Sequence, residues 1–309
     1  MTSRPSMDGI LVIDKPPGIT SAQAVARIKR MTGEKKVGHT GTLDPFATGV
    51  LVCCLGRATR LARFFLHGDK SYEAVMVLGV ETDTQDLSGQ VVSRSVVPEI
   101  SEDAIREVFS RFTGEIAQAP PVFSALKHQG VPLYKLARRG TPVQKPARKV
   151  TIGELKLLEM QPDRVRFSAS CSGGTYIRTL CSDIGKALGC GAHLVELRRT
   201  SNSGFNITEA LTPEALAQVA SQEKTASVLV SMADALRRIP QVTATPLLAK
   251  KISHGEALTR HDLGQKKDWN GEEDSPNRVK VVNAEGNLLA VLDAKPDGMG
   301  FSYVCVFVN

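Results

Sequence analysis

The densest set of residues that could carry chemistry is Gly38-His-Thr-Gly-Thr-Leu-Asp-Pro-Phe-Ala-Thr-Gly-Val-Leu51. Its three glycines and one proline dictate an irregular backbone that brings small and polar groups close together. Asp44 precedes Pro45, which biases its backbone to extended conformations and keeps it out of a helix interior. A carboxylate in such a loop, just before an apolar strand, is placed to face a cleft. The same residue could equally close an Asx-turn within its own loop. Gly33-Glu-Lys-Lys-Val-Gly38-His39-Thr40 stands one residue away from the phosphate-binding pattern G-x-x-x-x-G-K-[ST]. His39 replaces the Lys that must reach the phosphates, and the segment before the motif reads as a helix where a strand is required. Both departures argue against nucleotide hydrolysis. His39 taken alone reads as a structural hydrogen-bonder.

Two further places attract attention. Lys70-Ser-Tyr-Glu73 opens a strand, and Tyr72 reads either as a core aromatic or as a stacking platform for a base. Gly173-Gly-Thr-Tyr-Ile-Arg-Thr179 is a strand-to-helix junction whose glycines let another chain approach. Arg178 falls in the first helical turn, where the helix dipole favours acidic groups. A carboxylate partner for Arg178 is therefore attractive, with a plain surface role as the alternative.

Between Ala117 and Val150 the chain has no Asp or Glu, yet it holds Lys127, Lys135, Arg138, Arg139, Lys145, Arg148 and Lys149, plus His128. This reads as a solvated basic surface or as an element that contacts a nucleic-acid backbone, since phosphate contacts come mostly from Lys and Arg. A net charge of +7 permits a polyanionic partner without requiring one. The six cysteines form no Cys-x-x-Cys pair, and the six histidines show no clustered ligand spacing, so the sequence carries no metal signature. The longest apolar stretch, Gly49 to Gly56, is far shorter than the roughly 18 residues of a membrane span. No signal-peptide core is visible at the N-terminus, and a cytoplasmic setting is expected.

The elements that must position these residues follow from periodicity. Ile10–Lys15 reads as a strand and Pro16-Pro-Gly18 breaks it. Thr20 or Ser21 then caps a helix to about Met31, which Gly33 stops. Val50–Leu55 is a strand, and residues 58–67 are an amphipathic helix. From Ser71 to Val80, Tyr72, Ala74, Met76 and Leu78 share one strand face. Asp86-Leu-Ser-Gly89 is a turn leading to Val91-Val92, and Ser101 opens a helix to about Phe112. Strands near 150–160 and 163–171, a helix over 175–188 and a strand over 193–200 complete the main body. A short helix fits Leu133 to Arg139. At 309 residues, about two domains are expected, taking roughly 150 residues for each. We read an α+β domain over 9–238, after a disordered lead-in at 1–8, built on a mixed, largely antiparallel sheet flanked by helices. A small β-rich module over 239–309 follows, with strands near 279–283, 287–292 and 303–308 and a polar loop over 264–278.

The motifs occur together in an order that resembles the TruB-type tRNA pseudouridine synthases. Leu11-Val-Ile-Asp-Lys-Pro-Pro-Gly-Ile-Thr-Ser21 looks like their N-terminal motif, Gly38–Leu51 like their aspartate motif and Lys70-Ser-Tyr72 like their tyrosine motif. Gln118-Ala-Pro-Pro-Val-Phe-Ser-Ala-Leu-Lys-His-Gln-Gly130 looks like the lead into their RNA-gripping thumb, here about 120–150. Cys171–Leu180 and Leu194–Thr200 complete the set, and the tail is loosely similar to PUA-like modules. The resemblance implies the pseudouridine synthase fold and cofactor-free conversion of uridine 55 in the T-arm of elongator tRNAs to pseudouridine. It implies Asp44 as nucleophile or base, Arg178 as its ionic partner and Tyr72 stacking on the flipped uracil. His39 would help fill the space the base vacates, Tyr176 and Leu197 would line the pocket, and Lys15 would lie nearby. The thumb cations would hold the RNA backbone. A monomer is expected. The competing reading is an RNA-binding chaperone that folds tRNA without modifying it.

Overall fold

The computed structural model describes residues 7–264, 278–296 and 298–308. The expected lead-in and the expected polar loop therefore lie largely outside the described residues. Nine strands form the central sheet. Seven carry the argument: β1 (Gly9–Lys15), β2 (Thr48–Leu55), β3 (Lys70–Leu78), β4 (Gly114–Gln118), β5 (Arg148–Met160), β6 (Arg164–Cys171) and β7 (Ala192–Asn202). Their spatial order is β1-β2-β7-β3-β6-β5-β4. Val37–His39 pairs beside β2, and Phe205–Asn206 pairs beside β7. Every pairing in this sheet is antiparallel except β2 with β7, so the sheet is mixed and largely antiparallel.

The strand sequences fit their positions. β1 and β2 are near-continuous apolar runs and are buried except at Asp14 and Thr48, as strands covered on both faces must be. β3 alternates, with Lys70, Tyr72, Ala74, Met76 and Leu78 inward. Three helices matter for the site: α1 (Ser21–Thr32), α2 (Glu102–Arg111) and α3 (Ile177–Ala187). α1 begins in a capping box of Thr20 with Gln23 and ends on Gly33 in the left-handed region. Its Ala24 and Ile28 pack on Leu11, Ile13, Leu51 and Cys53. α3 buries Ile177, Leu180, Cys181 and Ile184 against Tyr72, Met76 and Phe167.

The expected helix at 58–67 splits into a 3-10 segment, Gly56–Leu61, and a short α-helix, Ala62–Leu66. The Thr59 hydroxyl bonds back to the Gly56 carbonyl at 2.8 Å within that tighter first stretch. The tail is an open four-stranded sheet of Gln241–Thr243, Arg278–Val282, Leu288–Ala294 and Phe301–Val306, with the helix Pro246–His254 packed on it. It is continuous with the main body, since Val282, Leu288 and Phe307 share one core with Phe65, Phe205 and Leu236. The buried Lys280 ammonium donates to the Ala233 and Leu236 carbonyls at 2.7 and 3.1 Å. Among the described residues no helix is long and apolar enough to cross a membrane.

Candidate active site

The Asp44 loop is held from below by the first motif of the chain. Lys15 at the end of β1 is fully buried, and its Nζ donates to the carbonyls of Pro16 (2.8 Å), Ile19 (2.9 Å) and Pro45 (3.3 Å). The Gly18 amide also donates to the Pro45 carbonyl, at 2.8 Å. Ser21 reaches across from α1. Its Oγ accepts from the Leu43 amide at 2.8 Å and donates to the Leu43 carbonyl at 3.2 Å. Both backbone neighbours of Asp44 are thus fixed, which is the kind of supporting shell a functional side chain needs. Burial lowers the Lys15 pKa to about 8. The loop then enters β2 through Gly49, whose φ is +101°. A Cβ at Gly49 would lie 2.2 Å from the Arg199 carbonyl oxygen, so the parallel junction of β2 with β7 requires glycine there.

Arg178 meets this loop from the first turn of α3. Its Nε lies 3.0 Å from Asp44 Oδ2 and its Nη2 lies 3.4 Å from Asp44 Oδ1. The guanidinium is fully engaged: Nη1 donates to the Thr84 carbonyl (3.0 Å) and faces Asp86 Oδ2 (3.3 Å), while Nη2 also donates to the Phe123 carbonyl (3.0 Å). Arg178 and Asp86 side chains are each 5% exposed, whereas Asp44 is 31% exposed. Of the three charges, only the Asp44 carboxylate is appreciably exposed. Burial raises the Asp44 pKa above the ordinary 3.8; Arg178 opposes that rise, Asp86 adds to it and Lys15 opposes it. Arg178 is thus the main counterweight to that rise.

The surrounding wall is aromatic and apolar. Tyr72 is buried in β3, packed with Leu43, Ala47, Ile177 and Leu197 in one core. Burial raises its pKa. Arg199 lies opposite Tyr72 in the β7–β3 register. Arg199 is itself buried, donating to Val50 O at 2.7 Å and Gly41 O at 3.1 Å. His39 is half-buried; its Nδ1 accepts from the Gly41 amide at 3.4 Å, and burial lowers its pKa. Tyr176, half-buried, stands immediately before α3. Gly173 makes that approach possible, because a Cβ there would lie 2.8 Å from the His67 backbone. The arrangement is a partly exposed carboxylate, paired with a buried guanidinium and set close to buried aromatic and apolar side chains, which suits nucleophilic or base chemistry on a planar group.

Residues 29–177 match the TruB family pseudouridylate synthase N-terminal domain, and residues 178–240 match the tRNA pseudouridylate synthase B C-terminal domain. The chain belongs to the TruB family of pseudouridylate synthases. A relative from Syntrophotalea carbinolica, named tRNA pseudouridine synthase B, is 47% identical over 249 residues, which cover 81% of each chain. The Burkholderia mallei protein of the same name is 43% identical over 292 residues, covering 94% of this chain and 95% of the relative. A solved structure described as a Cbf5-Nop10-Gar1 complex has a chain similar in fold, with a TM-score of 0.74 and 29% identity over 98% of this chain and 85% of that one.

In this TruB-family chain the basic segment does not behave as one surface. Lys127, on a two-residue hairpin strand, and Lys135, Arg138 and Arg139, on the short helix Leu133–Arg138 and its C-cap, are exposed. Arg138 also lies over the Tyr134 ring, 5.7 Å from its centroid. Lys145 is half-buried, its Nζ 3.2 Å from His128 Nδ1. Lys149 faces Glu115 at 2.7 Å. Arg148 turns inward, over the Tyr176 ring at 5.3 Å and onto the Gly174 carbonyl.

Asp86 is the principal charged residue that sequence reasoning missed. It was legible only as part of a turn, and it does build that turn: Oδ1 accepts from Thr84 Oγ1 (2.7 Å), Ser88 N (2.9 Å) and Ser88 Oγ (2.5 Å). Its other oxygen faces Arg178. The Gly33–Thr40 segment leads into a strand rather than opening a helix, which removes the phosphate-loop reading on geometry as well as on residue type.

Proposed function

We propose that this pseudouridylate synthase isomerises uridine 55 in the T-arm of elongator tRNAs, with Asp44 as the catalytic carboxylate. The observation that carries this reading is the pairing of the partly exposed Asp44 with the buried Arg178 across 134 residues of sequence. The reaction breaks the N1–C1′ bond, turns the uracil and joins C5 to C1′, with C5 giving up its proton and the freed N1 taking one up. It is an isomerisation without net redox change, so the residues present can carry it without a cofactor. Chemistry at C1′ and C5 requires the base to leave its stack, at a cost of a few kcal/mol. Stacking on Tyr72 returns about 1–3 kcal/mol of that. Tyr176 and Leu197 line the pocket, His39 helps to fill the space left by the base, and Lys15 supports the loop from beneath. The exposed thumb cations hold the RNA backbone, and the C-terminal sheet serves as a PUA-like RNA-binding module. We assign the protein to the cytoplasm, acting as a monomer on tRNA.

The test is tritium release from unmodified tRNA carrying 5-³H-uridine, with wild type and Asp44→Asn side by side. Release by wild type alone, with tRNA binding by the variant within about threefold, is the expected result. Loss of one essential catalytic group costs about 10⁴-fold or more. Release by neither protein, with tight T-arm binding by both, would favour a tRNA-folding chaperone. Equal release by both would remove Asp44 from the chemistry.

A further inference from the structure

The turn that carries Tyr176 is gripped by both roots of the thumb. Gln118 is the last residue of β4, where the chain leaves the sheet, and Arg148 is the first residue of β5, where it returns. The two are direct partners in the antiparallel register. The Gln118 side chain is buried, at 1% residue exposure, and spends both of its polar atoms on one distant residue. Its Nε2 donates to the Tyr176 carbonyl at 3.1 Å and its Oε1 accepts from the Tyr176 amide at 2.8 Å. An amide side chain thus acts as a strand neighbour for a residue that caps α3 without any side-chain cap of its own. Arg148 holds the same turn from the other root, through the Tyr176 ring and the Gly174 carbonyl. Arg178 follows two residues later and donates to Phe123 O, itself in the first stretch of the thumb.

We infer that Gln118 is a positioning residue of the active site, locking the Tyr176 turn and the start of the Arg178 helix to the root of the thumb. This rests on the reading of Asp44 and Arg178 as the catalytic pair. RNA held by the thumb and the carboxylate that acts on the flipped base are then fixed in one frame. Without the clamp, Tyr176 loses two buried hydrogen bonds at the junction that sets where α3 begins, and the Arg178 guanidinium shifts against Asp44.

Two variants test this. Gln118→Met keeps the length and removes both hydrogen bonds; Gln118→Glu keeps the acceptor. We expect Gln118→Met to lower the single-turnover rate at saturating tRNA by about 10–100-fold, the scale of a misplacement near 1 Å. Its Kd for tRNA should stay within about threefold of wild type. The acid limb of the rate–pH profile should move up, because a weakened Arg178 contact raises the Asp44 pKa. Gln118→Glu should fall between Gln118→Met and wild type, and it decides the matter if Gln118→Met does not fold. The proposal is overturned by a rate loss that only tracks the unfolded fraction seen by circular dichroism with the acid limb unmoved, or by a loss confined to Kd. Wild type run alongside separates the two readings: a silent wild type sinks the catalytic assignment, whereas an active wild type matched by both variants sinks the clamp.

Discussion

Arginine is used in opposite ways in the cleft and on the thumb. In the cleft, Arg178 is almost fully buried and divides its donors among two carboxylates and two carbonyls. On the thumb, Arg138 and Arg139 stand exposed beside Lys127 and Lys135 in a run without a single acid from 117 to 150. A buried guanidinium must be matched by partners, so its value is geometric and electrostatic at one point. An exposed one is weakly held and strongly screened by salt, so its value is attraction for phosphate. The two regions should therefore fail differently: the cleft in turnover and pH dependence, the thumb in affinity and salt dependence. Arg148 breaks the division, since it belongs to the thumb by sequence and to the pocket by contact.

After loss of Asp44 itself, the largest effect expected is that of Arg178→Ala. It removes the main influence that holds the Asp44 pKa down, and it leaves Asp44 and Asp86 facing each other without their shared cation. Turnover should fall by about 10²–10³-fold, within the range typical of a lost acid–base arrangement. The sign of the pH effect is fixed. In the proposed reaction Asp44 acts ionised, and its pKa lies above 3.8, so activity should fall as pH drops through that raised value. Without Arg178 the value climbs further and the acid limb moves to higher pH. A rate–pH profile under single turnover decides this, and an unmoved limb would show that Arg178 does not act through Asp44.

Asp86→Asn should move the same limb the other way. Asp86 raises the Asp44 pKa, so neutralising it lets Asp44 ionise at lower pH. Turnover should still fall, by about 10-fold, because the carboxylate that fixes Arg178 from behind is weakened. A drop in rate together with a downward limb distinguishes a positioning role from simple damage to the turn, which would lower the rate and leave the limb in place.

How much of this was readable from sequence depended on whether the signal was local. The Asp44 loop announced itself through glycines and a proline within a dozen residues. Arg178 stood out because a cation in a first helical turn conflicts with the helix dipole. The inward face of β3 followed from simple alternation, and it placed Tyr72 correctly among buried residues. Asp86 was hidden because one oxygen does what the local sequence suggests while the other does something else. Ser21 and Gln118 were hidden because their partners lie 22 and 58 residues away, and both are backbone groups that leave no mark on residue type. β4 went unread for a related reason: its short, half-exposed pattern acquires meaning only once β5 pairs with it. Arg148 was absorbed into a charge run, although the register that sets it opposite Gln118 directs it to the pocket.

The smallest effect on chemistry, and the largest on affinity, should come from the exposed thumb charges. Replacing Lys135, Arg138 and Arg139 together by Gln removes three cations whose nearest sequence neighbours include no acid. Each phosphate contact contributes about 0.7–0.9 to the slope of log K against log salt, depending on whether the RNA is single- or double-stranded. The slope should therefore flatten by about 2–3, and binding near 0.1 M salt should weaken by about 10²-fold. At saturating tRNA the single-turnover rate and its acid limb should stay as in wild type, because none of the three touches the Asp44–Arg178 pair. Lys149→Gln makes the internal control. Its ammonium already faces Glu115 at 2.7 Å, so its removal should flatten the slope by less than any one of the three. Fluorescence titrations at four or five salt concentrations give these slopes directly. If Lys149→Gln flattened the slope as much as the triple variant, the backbone track would run along the sheet edge at the thumb root, and the separation of pocket charges from phosphate-binding charges would have to be redrawn there.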